Sequence, residues 1–327
     1  MMLVPAGCAE LPATLVPRGG DAQAIADLFW IFLLVCALVW VLVVLGLLLA
    51  LWRRRGAEET ADPLAGHDRA TRIAGRAVGI AVALTVVALV ALTVLSYFTN
   101  RSIANVARDE HLKIRVTGHQ WWWEVVYDDP KPERQVATAN EIHVPVGEPV
   151  ELELLASDVI HSFWVPSLAG KKDLIPGRQT SQTLEVHKAG IYRGQCAEFC
   201  GLQHAFMGLT VVAHERAEFD AWQAAQLKAA APPADTLRQQ GERVFQTKGC
   251  FLCHAVRGTT AAAKVAPDLT HVASRRTLAA GALQMTRGSL AAWIADPQAI
   301  KPGSKMPRVD LSPDELEAVV AYVEGLT

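Results

Sequence analysis

Apolar and polar positions follow three different patterns along this chain. In the first part there is no alternation at all. Leu28 to Trp52 and Ala77 to Phe98 are uncharged apolar runs, each longer than the ~20 residues a helix needs to cross the hydrocarbon of a bilayer. A buried core hairpin is the ordinary alternative, but a soluble domain of this size does not hide two such runs so close together. In the middle part the period is two. Ile142, Val144 and Val146 alternate with other residues, and after a turn at Gly147 so do Val150, Leu152 and Leu154 with Glu151 and Glu153. This pattern predicts an antiparallel sandwich whose sheets each have a wet and a buried face. AEFDAWQAAQL then reads as a short helix and AAAPPAD as an Ala/Pro linker. From Asp235 the pattern is helical to the end, where Ser312 and Glu315 in LSPDELEAVVAYVEGL spell a capping box.

The expected layout is a tail over 1–27, membrane helices over 28–52 and 77–98, and a loop over 53–76. A sandwich over 99–214 follows, then a helix and linker over 215–234 and an α-helical domain over 235–327. Charge adds orientation. The loop carries Arg53, Arg54, Arg55, Arg69, Arg72 and Arg76, and arginine in short loops stays cytoplasmic, so both termini are expected outside. The net charge of −2 leaves no basic surface for nucleic acid. LVPAGC, ending at Cys8, resembles the end of a lipoprotein signal. With a start codon upstream, Cys8 would be a lipidated mature N-terminus. Cys36, inside the first apolar run, reads as a packing residue.

The strongest chemical signal is CAEFCGLQHAFM, from Cys196 to Met207. Two thiols, an imidazole and a thioether in so short a stretch are soft ligands that favour copper over calcium or magnesium. A structural zinc site more often pairs two half-sites and rarely uses Met, and a disulfide or core filling is the ordinary reading of two nearby cysteines. His161 in SDVIHSFWVP supplies a further ligand upstream. The blocks SDVIHSFWVP, DLIPGR and GQCAEFCGLQHAFM together resemble subunit II of haem-copper cytochrome c oxidases, the subunit with the binuclear copper A centre in a cupredoxin-like sandwich. The resemblance implies His161 and His204 as imidazole ligands, and Cys196 and Cys200 as bridging thiolates. It makes Met207 a weak axial ligand and the Glu198 carbonyl a ligand to the other copper, with the Glu198 carboxylate reaching a magnesium ion at the boundary with subunit I.

A second cofactor motif is CFLCH, the signature of covalent c-type haem attachment, though a short CxxC can also serve redox or zinc chemistry. Its parts would be thioethers at Cys250 and Cys253 and a proximal ligand at His254. Met306 in KPGSKMP is placed like the distal ligand of a class I cytochrome c, where an ordinary core methionine is the alternative. VAPDLTH resembles the class I stretch whose proline carbonyl, here that of Pro267, accepts the proximal histidine's ring N–H. Gly241, Phe245 and Tyr322 match that family's crossed terminal helices. C-type haem is attached on the outer face of bacterial membranes, which agrees with the orientation inferred from the arginines.

Trp121, Trp122 and Trp123 adjoin one another, so on a strand at least one must reach the surface or a partner. The family resemblance makes Trp121 the residue through which electrons enter; the ordinary alternative is a core tryptophan near the metal. Asp158, Glu124, Asp128 and Asp129 could form an acidic docking surface, although surface acids usually serve solvation alone. His111, His119, His143, His187, His214 and His271 belong to no motif and read as surface or structural. The stretch HDRATRIAGRAVGIAVALTV departs from the family, lacking the glutamate that in relatives helps protons into one uptake channel.

The reading is a multidomain membrane protein: a two-helix transmembrane hairpin, an all-β cupredoxin-like sandwich and an all-α class I cytochrome c domain. The resemblance implies a caa-type fusion in a bacterial cell membrane. Electrons would run from cytochrome c or another donor through haem c and copper A to subunit I, with subunit III as a further partner and oxygen chemistry outside this chain. An oxidising periplasm threatens the Cys196/Cys200 pair before metal arrives, so copper chaperones and thiol reductants are expected partners in assembly. The alternatives are a copper A subunit of a nitric oxide reductase and a stand-alone membrane-tethered electron carrier.

Overall fold

The computed structural model of the chain describes residues 13–55, 68–104 and 112–327. Cys8, the middle of the arginine-rich loop and His111 lie outside them. The described chain forms two compact units, Gln23–Ala107 and the remainder.

The first unit holds most of two long helices, α1 (Gly20–Arg55) and α2 (Asp68–Ala104). Both outrun the apolar stretches that predict them. Arg72 and Arg76 therefore sit on α2 instead of in a loop, because a helix once nucleated propagates cheaply through good helix formers. Gly20–Trp52 and Thr71–Ile103 are long and apolar enough to cross a membrane. Leu34, Trp40 and Val43, on different faces of α1, are all more than half exposed. A helix apolar on every side suits lipid and not water. Within α2, Thr85 and Thr93 donate their hydroxyls to the carbonyls of Ala81 and Leu89, at 2.9 and 2.8 Å, so neither hydroxyl hydrogen meets the apolar surroundings unpaired.

The second unit begins before α1. Arg18 N–H donates to Ser167 O at 2.7 Å, and His187 N–H donates to Arg18 O at 2.8 Å. This part of the expected tail is thus bound to the sandwich.

That sandwich has ten strands. One sheet contains β1 (Leu112–His119), β2 (Trp122–Tyr127), β3 (Val136–Ala139), β5 (Val150–Ala156) and β8 (Thr180–Leu184), in the order β3-β2-β1-β5-β8. The other contains β4 (Glu141–Pro145), β6 (His161–Trp164), β7 (Lys172–Leu174), β9 (Gly190–Cys196) and β10 (Gly208–His214), in the order β4-β10-β9-β6-β7. The alternation around Gly147 places Ile142, Val144, Leu152 and Leu154 in the core, as the pattern requires, with Ile114, Trp123 and Phe163 beside them. The sheets are not wholly antiparallel as expected: β1 pairs parallel with β5, and β4 with β10. Side-chain alternation records which face is buried and not which neighbour a strand takes, so the crossing between sheets after β3 leaves no trace in it. Helix α3 (Arg216–Gln226) closes one edge, its Trp222 ring stacked on His143 at 4.1 Å.

The C-terminal helices are α4 (Thr236–Thr247), α5 (Arg287–Ala295), α6 (Pro297–Ile300) and α7 (Pro313–Glu324). Asp235 caps α4 by accepting from Arg238 N–H, and the Ser312/Glu315 capping box starts α7. Helices α4 and α7 cross at Gly241, with the Phe245 and Tyr322 rings 5.6 Å apart. A small ladder of Thr277–Leu278 with Leu283–Gln284 is an element that the helical pattern does not anticipate.

Candidate metal and haem centres

The expected copper ligands come from two strands of one sheet and the loop beside them. His161 opens β6, Cys196 closes β9, and the loop between β9 and β10 carries the rest. Phe163 pairs with Cys196 across β6 and β9, which brings His161 alongside the loop. At the loop's other end Cys196 N–H donates to Met207 O at 2.9 Å, so both stems are pinned by the ladder. Gly118, on the facing sheet, makes room for the imidazole: a Cβ there would lie 2.8 Å from His161 Cδ2.

Within this frame each of the six expected donors approaches a loop sulfur. Cys196 Sγ lies 3.9 Å from His161 Nδ1, 3.2 Å from Glu198 O and 3.8 Å from Cys200 Sγ. Cys200 Sγ lies 3.6 Å from His204 Nδ1 and 3.8 Å from Met207 Sδ. Sulfurs at that separation are unbonded, and with metal–sulfur bonds of about 2.3 Å two thiolates on one ion lie within about 4.6 Å of each other. Both cysteines and His161 are buried. His161 turns Nε2 to Asp158 Oδ1 at 2.9 Å, leaving Nδ1 for the sulfurs. A carboxylate behind a ligating imidazole fixes its orientation in this way.

The tryptophans divide the space around the loop. Trp121 Nε1 donates to Cys200 O at 2.9 Å, joined there by Gln120 Nε2 at 2.8 Å. Trp122 stacks on His119, 4.4 Å between centroids. Trp123 is wholly buried, edge-on to His161 at 6.0 Å. Sequence reasoning missed Gln120 and Trp123 as neighbours of the centre. Their adjacency to Trp121 was the available signal, but only the β1–β2 turn shows which way each side chain faces. The acids turn out to be occupied: Glu124 faces His119, Asp128 pairs with Arg115 and Asp129 with Arg134. Asp158 takes His161, the Gln120 and Val159 amides, and Lys305.

The second centre is built around a tight turn at Cys250–Leu252, after which come Cys253 and His254. His254 Nδ1 lies 2.7 Å from Pro267 O, which leaves Nε2 as the free ring nitrogen. Burial lowers the His254 pKa against the pull of that carbonyl, favouring the neutral imidazole that a metal requires. Met306 ends a loop that Gln298 gathers by donating to the carbonyls of Ser304 and Met306, both at 2.8 Å.

Residues 129–214 match the family described as cytochrome C oxidase subunit II, periplasmic domain, and residues 239–327 match cytochrome c. Cytochrome c oxidase subunit 2 of Alkalihalophilus pseudofirmus is 36% identical over 95% of this chain and 89% of its own length. The chain belongs to the cytochrome c oxidase subunit 2 family. The subunit of the same name from Bacillus sp. (strain PS3) is 30% identical over 84% of this chain and 79% of its own. Among solved structures it is similar to the periplasmic domain of subunit II of cytochrome oxidase (CoxB) of Bradyrhizobium japonicum, at 31% identity over 37% of this chain and 96% of that one, TM-score 0.35.

Two family domains in one subunit 2 imply copper A and haem c, and the residues present fit both. Soft sulfur and imidazole donors converge on the copper side, and a CxxCH turn with one free imidazole nitrogen stands on the haem side. The sulfur pair is electronically uneven. Contacts with Cys200 and His161 outweigh burial and lower the Cys196 pKa, while the same sulfur–sulfur contact and burial raise that of Cys200. In the copper-free subunit 2 Cys196 is therefore the more readily ionised sulfur of the pair. A small alkylating reagent is expected to modify Cys196 at lower pH than Cys200, read by peptide mass spectrometry. Equal labelling of both sulfurs at every pH would overturn this.

Proposed function

We propose that this subunit receives electrons from cytochrome c or another donor and delivers them to subunit I of a haem-copper oxidase. The observation that carries the reading is the convergence of four donors on two unbonded cysteine sulfurs, six donors in all, with contacts of 3.2 to 3.9 Å. His161, Cys196, Cys200, His204, Met207 and the Glu198 carbonyl would hold binuclear copper A. Cys250 and Cys253 would anchor haem c by thioethers, and His254 and Met306 would hold its iron. When bound, the two groups supply a one-electron relay that ends in subunit I, where oxygen is reduced and protons are pumped.

The chain's own residues hold that relay still. Asp158 fixes the His161 ring, and its hydrogen bonds from His161, the Gln120 and Val159 amides and Lys305 outweigh burial and keep its pKa at about 2. Pro267 fixes the His254 tautomer. Trp121, bonded through its indole to the Cys200 carbonyl, is the residue through which electrons enter the copper loop. The Glu198 carboxylate is 43% exposed with Lys171 as its neighbour at 3.4 Å, open to a magnesium ion shared with subunit I.

The order of domains read from the sequence, both termini on the outer side and assembly with subunit III complete the proposal. So do copper chaperones and thiol reductants during maturation. The test is rapid mixing of the purified oxidase with a reduced donor, under oxygen and separately under nitric oxide. Reduction of haem c ahead of copper A with consumption of oxygen is expected. Copper reduced first, or turnover of nitric oxide alone, overturns it.

A further inference from the structure

Lys301 is the most buried lysine among the described residues, 2% exposed, and its hydrogen bonds go to no carboxylate. Its Nζ donates to three backbone carbonyls: Trp121 O at 2.7 Å, Phe206 O at 2.7 Å and Ala279 O at 3.1 Å. The first lies at the β1–β2 turn and the second in the copper loop between His204 and Met207. The third belongs to the cytochrome domain itself. Burial depresses the lysine's pKa to about 7, yet three acceptors surround the nitrogen, a set that only an ammonium with three N–H groups satisfies. A buried cation is costly unless fully hydrogen-bonded, so the residue's place calls for a reason.

The reason lies in the loop that Lys301 opens. Residues 301 to 306 run from this lysine to Met306, and they meet the copper loops again and again. Gln203 Nε2 donates to Pro302 O at 2.6 Å. Gly303 lies against Leu202 and the Trp121 ring, at 3.2 and 3.6 Å from where its Cβ would stand. Lys305 Nζ reaches Asp158 Oδ2 at 3.1 Å. The loop carrying the expected distal haem ligand is thus packed on the residues that surround the sulfurs.

We propose that Lys301 is a positioning residue, a latch that holds the Met306 loop against the copper loops so that the fused cytochrome stays in its electron-transfer pose. The latch rests on the proposed haem-to-copper route. With it closed, the Met306 loop covers part of Trp121 and occupies Asp158, so an external donor delivers to the haem domain and not to the copper loop.

The test uses the full chain with its cofactors, as wild type and as Lys301→Met. Two amides report docking without reference to electron flow: Gly208 N–H donates to Ala280 O at 2.8 Å, and Arg276 N–H donates to the Glu141 carboxylate. Both are expected to exchange with deuterium about tenfold faster in the variant, while amides inside α4 and α7 keep their rates. Haem-to-copper transfer after flash reduction of the haem should slow about tenfold and become dependent on solvent viscosity, with the absorption of both centres unchanged. A loss of local packing alone would not introduce viscosity dependence. Unchanged exchange and unchanged transfer overturn the latch. If exchange speeds up while wild type itself shows no haem-to-copper phase, the latch stands and the route fails. Should Lys301→Met not assemble, Lys301→Gln keeps N–H donors at this position without a buried charge while breaking the three-carbonyl set, and the same readings apply.

Discussion

Cys200→Ser is expected to abolish the proposed binuclear centre while leaving haem c in place. The Cys200 sulfur approaches three other donors along the loop, Cys196, His204 and Met207. A serine hydroxyl is a hard donor that stays protonated at neutral pH, so it replaces neither the charge nor the softness of a bridging thiolate. Copper bound by this chain should fall from about two ions per haem iron to one or none. Turnover with cytochrome c should fall by more than about 100-fold, since loss of an outer-sphere partner alone already costs roughly 10- to 100-fold. Metal analysis together with the haem spectrum checks this, the CxxCH turn serving as an internal control. A variant that keeps two coppers and near-normal turnover would show that Cys200 is a packing residue.

The second large effect is expected from Gly241→Val. A Cβ at position 241 would stand 2.0 Å from the Ala318 carbonyl oxygen, 2.6 Å from its carbon and 2.7 Å from Tyr322 Cβ. None of these atoms is the tip of a flexible side chain, so α4 and α7 can accommodate it only by moving apart. Separation would also open the Phe245–Tyr322 contact and the buried row Ala318 to Val323. Overpacking typically costs about 1–3 kcal/mol, and a clash with backbone belongs at or beyond the top of that range. Thermal unfolding followed at the haem should drop by about 10 °C or more, taking about 4–8 °C per kcal/mol for a domain of this size. Copper content should persist, because the sandwich has its own core. An unchanged midpoint would mean that the two helices cross elsewhere.

Much of this molecule is written locally. The apolar runs specify α1 and α2 because length and lack of charge alone decide whether a helix suits lipid. The ligands from Cys196 to Met207 lie within one loop, and Cys250 to His254 within one turn, so spacing nearly determines their geometry. The same holds for the Ser312/Glu315 box, whose two hydrogen bonds join residues a single helical turn apart. Whatever depends on distant chain meeting in space needed the tertiary structure. His161 comes to within 3.9 Å of Cys196 across 35 residues only through the pairing of β6 with β9. The parallel partners of β1 and β4 follow from crossings between sheets that side-chain alternation does not record. The acids that looked like a docking surface each face a partner that no motif marks. Lys301 is the clearest case: it reads as an ordinary surface lysine beside a proline, and only the packing of one domain on another shows its ammonium closed in among carbonyls 95 and 180 residues away. Sequence determines the chemistry that adjacent residues can perform, whereas burial and long-range contact decide which distant groups that chemistry will meet.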